Sequence, residues 1–173
     1  SRLHAVIWRN WNIVEPERIA QAIGCDSPAV HEIAASMGLP PSKPIAANFK
    51  KQIYITVIRR NWHLLPCDQL LALLDMSAAE LEFALKEDDF LFHKLGGFKP
   101  ECARIAYIPP DDMAKAHAQE IKQIVQEHFG DAVEKPVEPR FHFTQELSAA
   151  DAPMRVAAQG HHVDDFFGWN AKD

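Results

Sequence analysis

The sequence predicts an α+β fold: tandem strand–helix–turn–helix repeats whose strands form a small sheet packed by helical hairpins. Three observations predict it. The segment VIWRNWNIV (Val6 to Val14) returns as VIRRNWHLL (Val57 to Leu65), so one supersecondary unit is used at least twice. Each copy opens on a run rich in β-branched and aromatic residues. Each run is followed by two amphipathic stretches with helix-capping signals.

The strands are Leu3 to Trp8 and Gln52 to Arg59, apolar on both faces and therefore expected to be buried on two sides. A third candidate is Ala103 to Ile108. In the first unit Pro16 suits the first turn of a helix, where its missing N–H costs nothing, and Ile19, Ala22 and Ile23 form the apolar stripe. In the second unit Pro66 takes that place ahead of Leu70, Leu71, Leu73 and Leu74. In the third, Asp111 or Asp112 caps a helix carrying Ile121, Ile124 and Val125 and ending at Gly130, a left-handed C-cap. Second helices follow in units one and two. Ser27-Pro28 is a cap and first turn ahead of Val30, Ile33, Ala34 and Met37, and Ser77 with Glu80 forms a capping box ahead of Leu81, Phe83, Ala84 and Leu85.

This organises the chain as a repeat domain over 1–130, with units at about 2–51 and 52–102 and a partial unit at 103–130. A Pro- and charge-rich linker spans 131–139. Residues 140–173 follow as a strand, Arg140 to Thr144, and an irregular tail, the strand being either an edge strand or the start of a further domain. Starting at Ser1 rather than Met fits a processed protein or a piece of a longer one.

The composition is that of a globular protein, 47% apolar and 24% charged, with a net charge of −6. No apolar stretch is long enough to span a bilayer, and no signal-peptide pattern is present. Cys25, Cys67 and Cys102 share no CxxC spacing and read as buried free thiols rather than a disulfide or zinc ligands. These features favour a soluble, cytoplasmic protein without a cofactor. Residues 1–130 carry 14 Lys and Arg against 16 Asp and Glu, without the basic excess of a phosphate-binding surface.

The candidate binding residues are the repeated signature: Arg9, Asn10 and Trp11, then Arg60, Asn61 and Trp62, with Arg59 alongside. Two readings stand. In one, Asn makes a turn, Trp fills space between elements, and Arg covers a helix end or sheet edge. In the other, Trp and Arg form a recognition surface of the kind that dominates binding hot spots. The Glu87-Asp88-Asp89 run reads as a solvated helix end, and the His161-His162-Val163-Asp164-Asp165 cluster as a tail rather than a metal site. The pattern of a nucleophile elbow, a phosphate loop, a dinucleotide glycine motif or HExxH is not found.

The stretch ERIAQAIGCDSPAVHEIAASMGL resembles bacterial helix-turn-helix segments, but its second helix offers His31, Glu32 and Ser36. Its counterpart offers Glu80, Glu82, Lys86, Glu87, Asp88 and Asp89. DNA readers place basic and amide side chains there, so nucleic acid is disfavoured and a hairpin used for packing is expected. The stretches IWRNWNIVEPERIAQAIGCDSPAVHEIAASMGLPP and IRRNWHLLPCDQLLALLDMSAAELEFALKEDDFLFHKLGGFKPEC are similar to modules of large uncharacterised bacterial multidomain proteins. Those proteins are associated with carbohydrates and carry such modules ahead of a glycoside-hydrolase-like barrel. The resemblance implies that any glycosidase chemistry lies in a parent beyond this chain. It also implies that the chain itself is a non-catalytic accessory module meeting a neighbouring domain or a protein partner. A tandem helix-turn-helix that binds nucleic acid is the alternative.

Overall fold

The computed structural model describes residues 1–88, 90–133 and 142–148. Among these, every regular element is helical: α1 (Arg2–Asn10), α2 (Pro16–Ile23), α3 (Ser27–Ser36), α4 (Ala47–Asn61), α5 (Cys67–Leu74), α6 (Ala78–Glu87), α7 (Leu91–Lys94), α8 (Asp112–Phe129) and α9 (His142–Ser148). A 3₁₀ turn, Gly130–Val133, follows α8. The chain divides into two compact units, Ser1–Lys135 and Pro136–Asp173, and α9 is the described part of the second.

The expected sheet is therefore corrected to a helical fold. Leu3 to Trp8 lies in α1 and Gln52 to Arg59 in α4. The period explains why. α1 buries Leu3, His4, Val6, Ile7 and Asn10, and Trp11 follows at its end, a spacing of three and four that belongs to one helix face. Reading Asn10 as the polar end of an apolar run hides this, because Asn10 belongs to the buried face. The β-branched residues of α4 are likewise carried by packing rather than propensity: Val57 and Ile58 are buried and Ile53, Tyr54 and Ile55 lean on the core. Ala103 to Ile108, the third candidate strand, forms no regular element. Its Tyr107 N–H donates to the Ile23 carbonyl at 2.8 Å. Of the expected strand Arg140 to Thr144, residues from His142 onward open α9, and Arg140 and Phe141 lie outside the described residues, as does the 161–165 cluster.

The repeat itself is α1–α3 against α4–α7. Pro16 opens α2, and Gly24 ends it in the left-handed conformation (φ 76°, ψ 46°). Asp75 ends α5 in the same conformation (φ 56°, ψ 44°), a position that costs a side-chain-bearing residue more than glycine. Pro66 is the residue before α5 rather than within it. The cap of α3 is Asp26, whose carboxylate accepts the Ala29 N–H at 3.0 Å, so Ser27 and Pro28 fall inside the first turn. Its counterpart Ser77 forms the expected capping box with Glu80. Asp111 caps α8 by accepting from Ala114 N–H at 2.7 Å. Gly130 ends that helix at φ 46° and ψ −131°, outside the left-handed helical region.

Beyond α6 the two repeats diverge. The first runs from α3 through Met37 into Gly38 (φ 78°); the second breaks after α6, inserts α7, and reaches Leu95 and Gly96 (φ 96°). The extra length is about two helical turns. It places Phe90 at φ 52°, where a bulky side chain is strained.

Equivalent helices pack on each other: α1 against α4, and α2 against α5. α3 lies on α1 and α2, and α8 covers α3 so closely that a Cβ on Gly38 would sit 3.1 Å from Lys122 Cγ. The core between them includes Val6, Ile7, Ile19, Ile58, Leu65 and Leu70, all fully buried. The segment after α7 is tied across both repeats. Gln69 Nε2 donates to the carbonyls of Ala22 and Ile105, each at 2.6 Å, and its Oε1 accepts the Ile105 N–H at 2.9 Å.

Among the described residues, one buried side chain is an ionisable base. His4 is buried, its Nδ1 pairs with the Ser1 hydroxyl at 2.7 Å, and its Nε2 has no partner among the described residues. Burial penalises the charged ring and lowers its pKa from the ordinary 6.5. The unfolded chain therefore takes up this proton first. Stability should be level above that value and decline as the pH falls from it toward the lower folded-state pKa. Urea unfolding from pH 7.5 to 5 should show this decline, and His4→Leu should flatten it. An unchanged slope in the variant would contradict the assignment.

Candidate functional site

The Arg-Asn-Trp signature stands at the C-terminal ends of α1 and α4, where those helices meet. Asn10 and Asn61 are completely buried and face each other. Asn10 Nδ2 donates to Asn61 Oδ1 at 2.9 Å, and Asn61 Nδ2 donates to Asn10 Oδ1 at 2.8 Å. The second proton of each amide goes back to its own helix, to the Val6 and Val57 carbonyls, both at 2.8 Å. Equivalent residues of two repeats that bond reciprocally must lie astride a two-fold axis, as in a symmetric dimer interface.

The arginines repeat the pattern one residue earlier. Arg9 Nη1 donates to the Arg60 carbonyl at 2.8 Å, and Arg60 Nη1 to the Arg9 carbonyl at 2.7 Å. These carbonyls are among the last of their helices and have no partner within the helix. Each repeat thus satisfies the other's helix end, and the guanidinium charge offsets the negative end of the helix dipole.

Trp11 and Trp62 are buried at equivalent places, as the repeat predicts. Trp11 Nε1 donates to the Pro40 carbonyl at 2.7 Å, and Trp62 Nε1 to the Phe98 carbonyl at 2.8 Å. Both acceptors lie two residues after a positive-φ glycine, Gly38 or Gly96. The indoles therefore pin the chain as it leaves each hairpin. Trp11 also meets the His31 ring edge-on, with centroids 5.4 Å apart, and Lys99 Nζ sits 5.4 Å from the Trp62 ring centre.

Of the seven residues picked out in the sequence, four are interior ties and three reach the surface. Arg9, Arg59 and Arg60 line a surface pocket of about 450 Å³, and the fourth lining residue is Trp8. Trp8 is 41% exposed and was missed by the sequence reading. Its signal was available: Trp8 occupies the repeat position of Arg59, so the two units differ there. Arg59 makes no hydrogen bond or ion pair with any described residue, and Arg9 and Arg60 have no carboxylate partner among them.

Two further surfaces stand out. A cleft of about 740 Å³ between α3 and α8 is lined by residues including Trp11, His31, Pro40, Lys122 and Gln126. On the second repeat, Phe83, Phe90, Phe92 and Phe98 are exposed; Phe83, expected on the apolar stripe of α6, instead lines a groove with Tyr54, Met76, Ala79 and Ala84. At the edge of that groove the Tyr54 hydroxyl donates to Asp88 at 2.5 Å, and this bond to the carboxylate pushes its pKa up to about 12. Asp88 is thereby engaged, while Glu82 pairs with Lys86.

The helix–turn–helix hairpins place α3 partly beneath α8, and the exposed side of α6 carries Glu82 and Glu87. Neither arrangement presents a basic helix to a nucleic acid groove. The three cysteines are free thiols, but they are not buried as expected: Cys67 is exposed and Cys25 and Cys102 are half-buried. Among the described residues no group of three His, Cys, Asp or Glu is placed to hold a metal, and no helix is long and apolar enough to cross a membrane.

The split between interior and surface aromatics is measurable. Trp62→Phe keeps most of the apolar contact but orphans the Phe98 carbonyl, and should lower unfolding free energy by about 1 kcal/mol or more. Trp8→Ala should stay within roughly 0.5 kcal/mol of the parent. Equal losses in denaturant titrations would contradict this division.

The chain matches no protein-family model, no curated protein and no solved structure.

Proposed function

We propose that this chain is a non-catalytic interaction module, and that the exposed aromatic residues of its second repeat are where a neighbouring domain or protein partner docks. The observation that supports the reading is the divergence of two otherwise equivalent halves. Phe83 stands where the first repeat has Glu32. Phe98 stands where it has Pro40, and Phe90 comes with the inserted turns. Phe83, Phe90 and Phe98 are 65, 77 and 59% exposed. Packing within the repeat does not require them, and water is a poor environment for exposed phenyl rings. Exposed aromatics are typical anchors of protein interfaces.

The further reading of a larger, bacterial and carbohydrate-active parent rests on the sequence resemblance alone. Binding to nucleic acid through the helical hairpins is the weaker alternative, because their outer helices are acidic.

A photo-reactive phenylalanine analogue tests the docking face in the native, full-length protein in its own cells. Placed at position 83 or 90, it should give a discrete adduct, either to another part of the polypeptide or to a second protein. At position 32, the equivalent site of the first repeat, it should give none. Absence of adducts at 83 and 90, or equal labelling at all three positions, would count against the proposal.

A further inference from the structure

We infer that the pocket bounded by Trp8, Arg9, Arg59 and Arg60 is a docking site for an acidic peptide segment. The guanidiniums would hold its carboxylates while an apolar side chain rests on Trp8. This inference stands on different residues from the exposed aromatics and does not depend on them.

Its first support is unsatisfied charge. Three guanidiniums border one pocket of about 450 Å³, and no carboxylate among the described residues pairs with any of them. Arg9 and Arg60 each use one Nη1 on a helix-end carbonyl, which fixes their position and leaves the other donors available. Arg59 is free of both hydrogen bonds and ion pairs with described residues. Like charges gathered without a counter-charge repel, and a carboxylate entering the pocket relieves that repulsion. Two of the three side chains are already held, so less rotamer entropy is lost on binding.

The second support is broken symmetry. Arg9 and Arg60 are two-fold equivalents and engage alike, whereas Trp8 and Arg59 are two-fold equivalents and differ. The pocket therefore has one flat aromatic wall and one free cationic wall on opposite sides of the axis. A ligand carrying an anionic group beside an apolar group fits in a single orientation. The planar guanidinium fork matches a carboxylate in bidentate fashion.

A nucleic acid strand is disfavoured on extent. Such strands need a basic track along many phosphates, and this patch is local on a chain of net charge −6.

Fluorescence anisotropy with the full chain and a labelled Glu-Glu-Phe-Glu-Glu peptide tests the site. Binding should weaken at least tenfold in Arg59→Ala and again as salt rises from 50 to 300 mM, while Lys115→Ala on α8 should bind like the parent. Because Arg59 has no side-chain partner among the described residues, the variant should fold normally, as circular dichroism would check. Trp8→Ala should lose affinity for this peptide and not for one with Phe replaced by Gly. Three results would overturn the inference: no binding at millimolar peptide in 50 mM salt, equal binding by Arg59→Ala, or tighter binding of an oligothymidylate that displaces the peptide.

Discussion

Two buried asparagine side chains decide how this molecule is built. Asn10 and Asn61 have no access to solvent, so each amide must find its partners inside the protein. Each finds one in the other and one in its own helix. The geometry closes only when α1 and α4 cross with their signatures aligned, because an apolar interface alone would allow one helix to slide on the other. Polar pairs at such seams fix register at some cost in stability, and that is the role these residues hold here. The arginine and tryptophan bonds, the pairing of α2 with α5 and the placement of the outer helices depend on that register.

Once the axis is set, the repeats act on each other in kind. Arg18 and Gln69 are equivalent, and each reaches across to the end of the other repeat's helix. Arg18 bonds Asp75 at 2.5 Å and holds that carboxyl below its usual range, while Gln69 caps the Ala22 carbonyl at 2.6 Å. Where the two copies depart from one another, symmetry no longer explains the residues. Gly24 against Asp75 is a change of turn residue that keeps one backbone conformation. Trp8 against Arg59, and the inserted turns around Phe90, instead alter the surface. A duplicated fold thus acts as its own control, separating residues required by the architecture from residues that serve something else.

Much of this was legible in the sequence. The repeat, the helix–turn–helix hairpins, the capping box at Ser77 and the equivalence of Trp11 with Trp62 follow from spacing alone. The sheet did not survive because β-branched runs such as Ile53 to Ile58 were weighed by propensity, whereas their burial follows a helical period. Asn10 and Asn61 were the decisive residues and the hardest to read. A polar side chain on an apolar stripe looks like the end of an element until its partner, 51 residues away, is known. Ala103 to Ile108, expected as a third strand, forms none, because its hydrogen bonds go to Gln69 and Ile23. Of the surface pocket, three arginines were visible beforehand. Trp8 was not, because its meaning comes from facing Arg59 across an axis that only the folded chain reveals.

The central claim is that the Asn10–Asn61 pair joins the two repeats, and a double-mutant cycle tests it most directly. Asn10→Ala and Asn61→Ala, alone and together, would be unfolded in urea. Either single change leaves the opposite buried amide without its partner, a loss of roughly 1–3 kcal/mol, and the double change should cost less than the sum of the two. A coupling of about 1 kcal/mol or more between residues so distant in sequence is the predicted result. Additive losses would show that the two asparagines do not meet, and the two-fold arrangement would be contradicted.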